Sequence, residues 1–217
     1  MGERRYIVGA GGQGRVVLEV WRAQHPGDEF LFLDDNAKIH GTEILGAKVA
    51  GDISLLGRRD GEVLLALGDN PLRLELGAFW AGKGARFGRA IHPTAIVSPS
   101  AVIGAGTAVF AGAIVNTQAR IGDFVIVNSG VIVEHDCVMA DGVSLSPGVV
   151  MGGRVTIGRG TFVSTGVTLA ARATVGAGSI VGAGAVVVGD VADDVVAHGA
   201  PARRVRAAGR EDFRKVL

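Results

Sequence analysis

The pattern of apolar positions has a period of six residues from Ile91 to Val187. The position four residues later is small or β-branched at every step of the repeat. The position three residues later is often glycine, the residue favoured where the backbone must adopt a positive φ. Seventeen consecutive steps keep this register, and their first positions are Ile91, Val97, Ile103, Val109, Val115, Ile121, Val127, Val133, Met139, Leu145, Met151, Ile157, Val163, Leu169, Val175, Val181 and Val187.

A six-residue repeat of this kind predicts a parallel β-helix. Three hexads close one triangular coil, so 18 residues form a turn and the repeat spans roughly five coils. The aliphatic and small positions then point inward and stack between coils. A purely structural rod would explain most of these residues equally well.

The first 88 residues have a different pattern. Apolar runs at residues 6–8, 30–33 and 63–67 predict short strands, and residues 16–21 predict a helix that ends near Pro26. Pro71 suits the start of a second helix. This alternation of strands and helices predicts a small, parallel, Rossmann-like α/β domain at 1–88. The six-residue repeat then predicts a β-helix domain at 89–197, and the remaining residues, 198–217, are expected to form a C-terminal capping segment.

Composition narrows the class of protein. The formal net charge is only +1, which gives little support to nucleic-acid binding. The single cysteine, Cys137, is predicted to pack inward and fits a reducing cytoplasm. We expect no signal peptide and no membrane insertion, because the uncharged stretch at 175–189 is short and rich in glycine.

His135 is the strongest candidate for chemistry in the repeat. It lies two residues after the inward Val133, so its ring should point outward at a corner. One coil of 18 residues further on is Gly153, which follows Gly152, and this pair leaves room beside the imidazole for a thioester. The Gly153 N–H could then face an oxyanion, with His135 as the general base. The alternative is a solvated corner histidine.

The spacing of histidines does not favour a metal site. His92 and His135 are the two histidines inside the regular repeat, and they lie more than two coils apart. Three converging nitrogen ligands are therefore not expected, and we predict no catalytic metal.

A glycine-rich turn follows the first predicted strand. Gly9, Gly11 and Gly14 match G-x-G-x-x-G between a strand and a helix, a placement suited to phosphate binding at a helix N-terminus. Asp34 and Asp35 end the second strand and could accept hydrogen bonds from a base or ribose. A solvated turn is an equally good interpretation of that acidic pair.

Taken together, several motifs resemble a known family. The segments at 6–17, 32–36 and 68–70, with Asn128, Glu134, His135 and Asp136 and the Gly-Ala-Pro-Ala-Arg run at 199–203, are similar to the hexapeptide-repeat sugar O- and N-acetyltransferases of bacterial surface-glycan synthesis. These include N-acetyltransferases of UDP-4-amino sugars and GDP-perosamine, and sialic acid O-acetyltransferases. The resemblance covers nearly the whole chain.

This resemblance implies a left-handed β-helix, acetyl-CoA as co-substrate, and a homotrimer with active sites between subunits. By matched position it implies a catalytic group of His135, Asp136, Asn128 and Gly153. It implies nucleotide-sugar contacts from Gly9, Gly11, Gly12, Gln13, Gly14, Asp34, Asp35 and Asn70. It implies acetyl-CoA contacts from Gly152, Gly153, Ser144, Pro201, Arg203 and Arg204.

Two positions depart from the family pattern, because Gln13 and Ser144 stand where relatives often carry histidine. The leading hypothesis is direct N-acetylation of a nucleotide-linked amino sugar. O-acetylation of a sialic acid or another sugar is the first alternative. A noncatalytic nucleotide-sugar-binding scaffold is the second, and the nucleotide itself stays open among UDP, GDP and CMP.

Overall fold

The computed structural model describes residues 2–58 and 60–215 of the chain. Its N-terminal part is a six-stranded sheet with strand order β3-β4-β2-β1-β5-β6, flanked by two helices. All pairs in this sheet are parallel except β3 with β4. The elements are β1 (Arg4–Val8), α1 (Gly12–Gln24), β2 (Glu29–Leu33), β3 (Glu43–Ile44), β4 (Ala47–Gly51), β5 (Glu62–Leu65), α2 (Asn70–Gly82) and β6 (Arg86–Phe87), with 3₁₀ turns at Ala37–Ile39 and Ile53–Arg58.

The hexad repeat forms a left-handed parallel β-helix, as predicted. Its two-residue strands recur every six residues from β7 to β23, and each pairs with the strand one coil away. They are Ala90–Ile91, Ile96–Val97, Val102–Ile103, Ala108–Val109, Ile114–Val115, Arg120–Ile121, Ile126–Val127, Ile132–Val133, Val138–Met139, Ser144–Leu145, Val150–Met151, Thr156–Ile157, Phe162–Val163, Thr168–Leu169, Thr174–Val175, Ile180–Val181 and Val186–Val187.

Three sheets form the sides of the prism. Side 1 contains β7, β10, β13, β16, β19 and β22, and is continued by β24 (Val195–His198) and the antiparallel β25 (Arg203–Ala207). Side 2 contains β8, β11, β14, β17, β20 and β23, and side 3 contains β9, β12, β15, β18 and β21. A short helix, α3 (Arg210–Lys215), ends the described chain.

Side-chain direction follows from the repeat. The second residue of each strand and the small residue four positions later point into the prism, where they form one continuous apolar core. The predicted corner glycines adopt positive φ, for example Gly106 at 70° and Gly166 at 69°. Burial of stacked aliphatic side chains therefore supplies the main stabilisation of the coils.

Side 1 is covered on its outer surface. Ala108 and Ile126 pack into the core beneath the α/β sheet, where α1 also packs, and Phe213 of α3 covers Phe162 and Ile180. The α/β part is thereby held against one side of the prism. The boundary proposed at residue 88 falls between β6 and β7.

Candidate active site

His135 lies at the corner between sides 2 and 3. Val133 and Cys137 on either side of it are fully buried in the prism, which turns the intervening residues outward. The His135 side chain is 45% exposed. The structure therefore places the imidazole on the surface of the β-helix, as the repeat predicted.

A carboxylate orients this ring. His135 Nδ1 lies 2.8 Å from Oδ2 of Asp136, and the adjacent Glu134 accepts a hydrogen bond from the His135 backbone N–H at 3.2 Å. Arg154 Nε lies 3.7 Å from the same Asp136 oxygen. With Nδ1–H donating to Asp136, Nε2 keeps its lone pair and can accept a proton.

Gly153 lies against the ring one coil later. A Cβ on this residue would be 2.5 Å from His135 Nε2, so any larger residue there would have to displace the imidazole. Within the described residues the Gly153 N–H donates to no acceptor, whereas the Gly152 N–H donates to Leu169 O at 2.8 Å. Gly153 is thus the glycine of the pair with a free donor beside the imidazole.

The glycine-rich turn has the geometry of an anion site. Gly9 directly follows β1 with φ of 95°, and a Cβ on Gly14 would be 1.9 Å from Gly9 O, so helix and strand approach closely. Gly11 caps α1 without any side-chain hydrogen bond to the first-turn N–H groups. Those donors and the positive end of the helix macrodipole are therefore available to a phosphate.

Asp34 supports this turn from the next strand. Its Oδ2 accepts a hydrogen bond from Ala10 N at 2.8 Å and its Oδ1 accepts one from Asn36 N at 2.9 Å. Asp35 is exposed and accepts from Ile53 N at 3.2 Å. It lines a smaller pocket of about 210 Å³ beside the turn, together with Val8, Leu33, Leu72 and Leu76.

A cleft of about 570 Å³ separates the glycine-rich turn from the corner between sides 1 and 2. Asn128 lies on its β-helix wall, where its side chain accepts a hydrogen bond from Ser129 N at 2.8 Å. The Gln13 amide Nε2 is buried in this region without a hydrogen-bond partner. The lining residues also include Gly9, Gly11, Gly12, Asp34, Leu67, Gly68, Ser144, Ser146, Pro147 and Thr165.

Asn70 is a correction to the predicted nucleotide contacts. Its side chain is fully buried, where it donates to the carbonyls of Gly160 and Thr161 (both 3.1 Å) and accepts from Ser144 Oγ at 2.7 Å. Because these contacts occupy the amide, Asn70 joins α2 to the β-helix instead of facing a ligand.

Ser144 also differs from its prediction as an acetyl-CoA contact. It lies on side 1, is 4% exposed and receives a hydrogen bond from Arg73 Nη2 at 3.0 Å. It borders the cleft, away from the corner that carries His135. Arg73 was not among the predicted site residues, although its position three residues after Asn70 on α2 indicates a shared helix face.

The predicted catalytic residues do not all meet within one chain. Asn128 follows a side 1 strand, while His135 follows the next strand, on side 2, and is not among the residues that line the cleft. Side 2 therefore separates the histidine corner from the glycine-rich turn. The remaining predicted acetyl-CoA residues, Pro201, Arg203 and Arg204, are exposed near the C-terminal end of the prism.

Two further features limit the chemistry. Cys137 is buried and donates to Gly152 O at 3.2 Å, and burial raises the pKa of its thiol. Across residues 2–58 and 60–215, no group of three or more His, Cys, Asp or Glu side chains is placed to hold a metal ion.

The described helices also include none that is long and apolar enough to cross a membrane.

Comparisons with known proteins identify the family of the chain. Residues 5–77 match the model of the PglD N-terminal domain family. Among curated proteins, none matches the chain. A variant of perosamine N-acetyltransferase from Caulobacter crescentus, solved with CoA and GDP-perosamine, is 37% identical, with a TM-score of 0.87 over 94% of this chain and 97% of that one.

Two more solved structures are similar over the same extent. The acetyltransferase domain of PglB from Neisseria gonorrhoeae FA1090, in complex with acetyl coenzyme A, is 36% identical with a TM-score of 0.89, over 94% of this chain and all of that one. WeeI from Acinetobacter baumannii AYE is 25% identical with a TM-score of 0.83, over 93% and 99% of the two chains. This chain belongs to the hexapeptide-repeat family of acetyl-CoA-dependent sugar N-acetyltransferases.

Proposed function

We propose that this protein transfers the acetyl group of acetyl-CoA directly to the amino group of a nucleotide-linked 4-amino sugar. The observation that carries the proposal is the outward His135, oriented by Asp136 and packed against Gly153, whose N–H has no acceptor among the described residues. The similar Caulobacter enzyme was solved with CoA and GDP-perosamine, so GDP- and UDP-linked amino sugars are the first acceptors to test.

In the proposed reaction, the neutral sugar amine attacks the thioester carbonyl carbon and forms the C–N bond. His135 Nε2 takes the proton that the nitrogen loses, and Asp136 stabilises the resulting imidazolium. The Gly153 N–H donates to the oxyanion of the tetrahedral intermediate. The C–S bond then breaks, and the imidazolium returns its proton to the departing CoA sulfur.

The nucleotide is assigned to the cleft between the glycine-rich turn and the corner that carries Asn128. The first-turn N–H groups of α1 suit the diphosphate, and the pocket beside Asp35 is lined mainly by apolar side chains that suit a base. The unpaired Gln13 amide supports the presence of a polar ligand group here, because a buried donor without a partner is costly.

A homotrimer completes the site in this proposal. The outward residues of side 2 form an apolar row of Ile96, Ile114, Ile132 and Val150, and Ile96 is 66% exposed. Packing this row against a neighbouring copy would bury it and bring the histidine corner of one protomer towards the cleft of another. The proposed compartment is the cytoplasm, consistent with acetyl-CoA as donor and with the single cysteine.

The test is acetylation of GDP-perosamine and a UDP-4-amino sugar by the purified protein, with CoA release and product mass as readouts. His135→Ala should lower kcat by about 10²- to 10⁴-fold while leaving the melting temperature nearly unchanged. His92→Ala, a half-buried histidine elsewhere in the β-helix, is the matched control. Wild-type turnover in His135→Ala, or acetyl transfer to a hydroxyl, would overturn the proposal.

A further inference from the structure

Arg73 is a fully buried cation between α2 and the β-helix. Its Nε donates to Phe124 O at 2.9 Å, and its Nη2 donates to Gly142 O at 3.0 Å and Ser144 Oγ at 3.0 Å. Its Nη1 donates to Leu67 O at 2.5 Å. All of these hydrogen-bond partners are uncharged, so dipoles supply every direct contact to its charge.

In the described part of the chain, no carboxylate lies within 4 Å of this guanidinium. The nearby Asp69 caps α2 through Leu72 N at 3.0 Å and lies 3.5 Å from Arg214 Nε instead. Burial lowers the pKa of Arg73 to about 9, which leaves it positive at neutral pH. A buried charge without an ion-pair partner is costly, so a role beyond packing would account for its presence here.

The position of Arg73 indicates such a role. Two of its hydrogen-bond partners, Leu67 and Ser144, line the cleft, one on the α/β wall and one on the β-helix wall. The guanidinium therefore lies directly behind the cleft and joins its two walls. Across the cleft, the uncapped N-terminus of α1 provides a second source of positive potential.

We propose that Arg73 is a positioning residue that sets the affinity of this cleft for the diphosphate of the nucleotide sugar. Its charge attracts the phosphates through a wall from which water is excluded, and its hydrogen bonds hold the loop at Leu67 and Gly68 at a fixed distance from Ser144. This inference rests on the proposed function, because it takes the cleft as the nucleotide site.

The experiment compares charged and uncharged probes. GDP, UDP, guanosine, uridine and CoA are titrated calorimetrically into the wild type, Arg73→Met and Asp69→Asn. The Arg73→Met variant keeps an unbranched side chain and removes the charge, while Asp69→Asn keeps a capping oxygen and removes the nearest negative charge.

For Arg73→Met we expect a Kd for the preferred nucleoside diphosphate raised about tenfold or more, with nucleoside and CoA affinities within about twofold of the wild type. For Asp69→Asn we expect tighter diphosphate binding, an effect that loss of packing cannot produce. Equal losses for nucleoside and diphosphate in Arg73→Met would overturn the inference, since they indicate a purely structural role.

If Arg73→Met does not fold, Asp69→Asn decides by itself, and unchanged or weaker diphosphate binding overturns the inference. A wild type that binds neither GDP nor UDP would instead overturn the proposed function. The two failures are therefore distinguishable.

Discussion

Gly153 and His135 lie so close together that a methyl group on the glycine would be 2.5 Å from the imidazole Nε2. No positive φ requires glycine there, so the requirement is one of space beside the ring. Gly153→Ala should displace the imidazole and lower kcat by about 100-fold, because small misplacements of a catalytic group are costly.

The measurement is steady-state acetylation of the accepted amino sugar, with thermal unfolding as the check on folding. Gly27→Ala is the matched control, since a Cβ at Gly27 meets nothing within 4 Å. Turnover by Gly153→Ala at the rate of the control would show that the ring is not constrained by this contact.

The apolar row on side 2 gives a prediction about assembly. In the proposed trimer, Ile132→Lys should prevent association and abolish acetyl transfer, because a buried unpaired ammonium group opposes association. Val138→Lys on side 3, where the native side chain is 41% exposed, is the control and should stay trimeric. Light scattering after size-exclusion chromatography distinguishes the two, and an Ile132→Lys trimer would contradict the proposed interface.

Cys137 should be unreactive in the folded protein. It is fully buried, its Sγ donates to Gly152 O, and burial raises the pKa of the thiol, so the thiolate is scarce at neutral pH. Alkylation by iodoacetamide, followed by mass spectrometry, should become rapid only when guanidinium unfolds the chain. Rapid labelling under native conditions would show that this corner opens.

The C-terminal segment, residues 209–213, should stay packed near neutral pH and loosen in acid. Arg206, followed by the Gly209 N–H, lowers the pKa of Asp212 from 3.8 to about 2. A carboxylate with a lowered folded-state pKa stabilises above its unfolded pKa, and that contribution disappears as pH falls through the folded value. The Arg206–Asp212 pair should therefore hold the segment at pH 5 and release it towards pH 2.

Hydrogen exchange of the amides at 209–213, measured relative to those of β22, reports this release. Asp212→Asn should show the low-pH exchange pattern already at pH 5. A wild-type pattern in that variant would mean that the packing of Phe213 on Phe162 holds α3 without the ion pair.

The sequence predicted the β-helix and the histidine corner because both follow from local arithmetic. A six-residue period determines which side chains point inward, and an 18-residue step places Gly153 beside His135. Neither inference needs any knowledge of how distant segments pack. The left-handed turn and the family were instead implied by the resemblance, and the similar solved structures confirm both. The structure also contains the predicted α/β sheet.

The interface between the two halves could not be predicted in the same way. Asn70 and Ser144 are 74 residues apart in sequence, and only the docking of α2 on side 1 brings their side chains within 2.7 Å. Nothing in the local sequence distinguishes Arg73 from an exposed arginine on a helix surface, yet it is fully buried. Such contacts depend on the relative placement of two elements, which no local pattern encodes.

Because one coil has 18 residues, the number of residues that precede a corner residue determines the direction in which its side chain points. Six extra residues inserted between Asn128 and His135 would rotate the imidazole by one third of a turn, onto the edge where side 3 meets side 1. Eighteen extra residues would restore its azimuth and move it along the axis by about 4.8 Å, the spacing of paired strands. Length variation in this enzyme is therefore tolerable only in whole turns, and even a whole turn changes the height of the histidine relative to the glycine-rich turn.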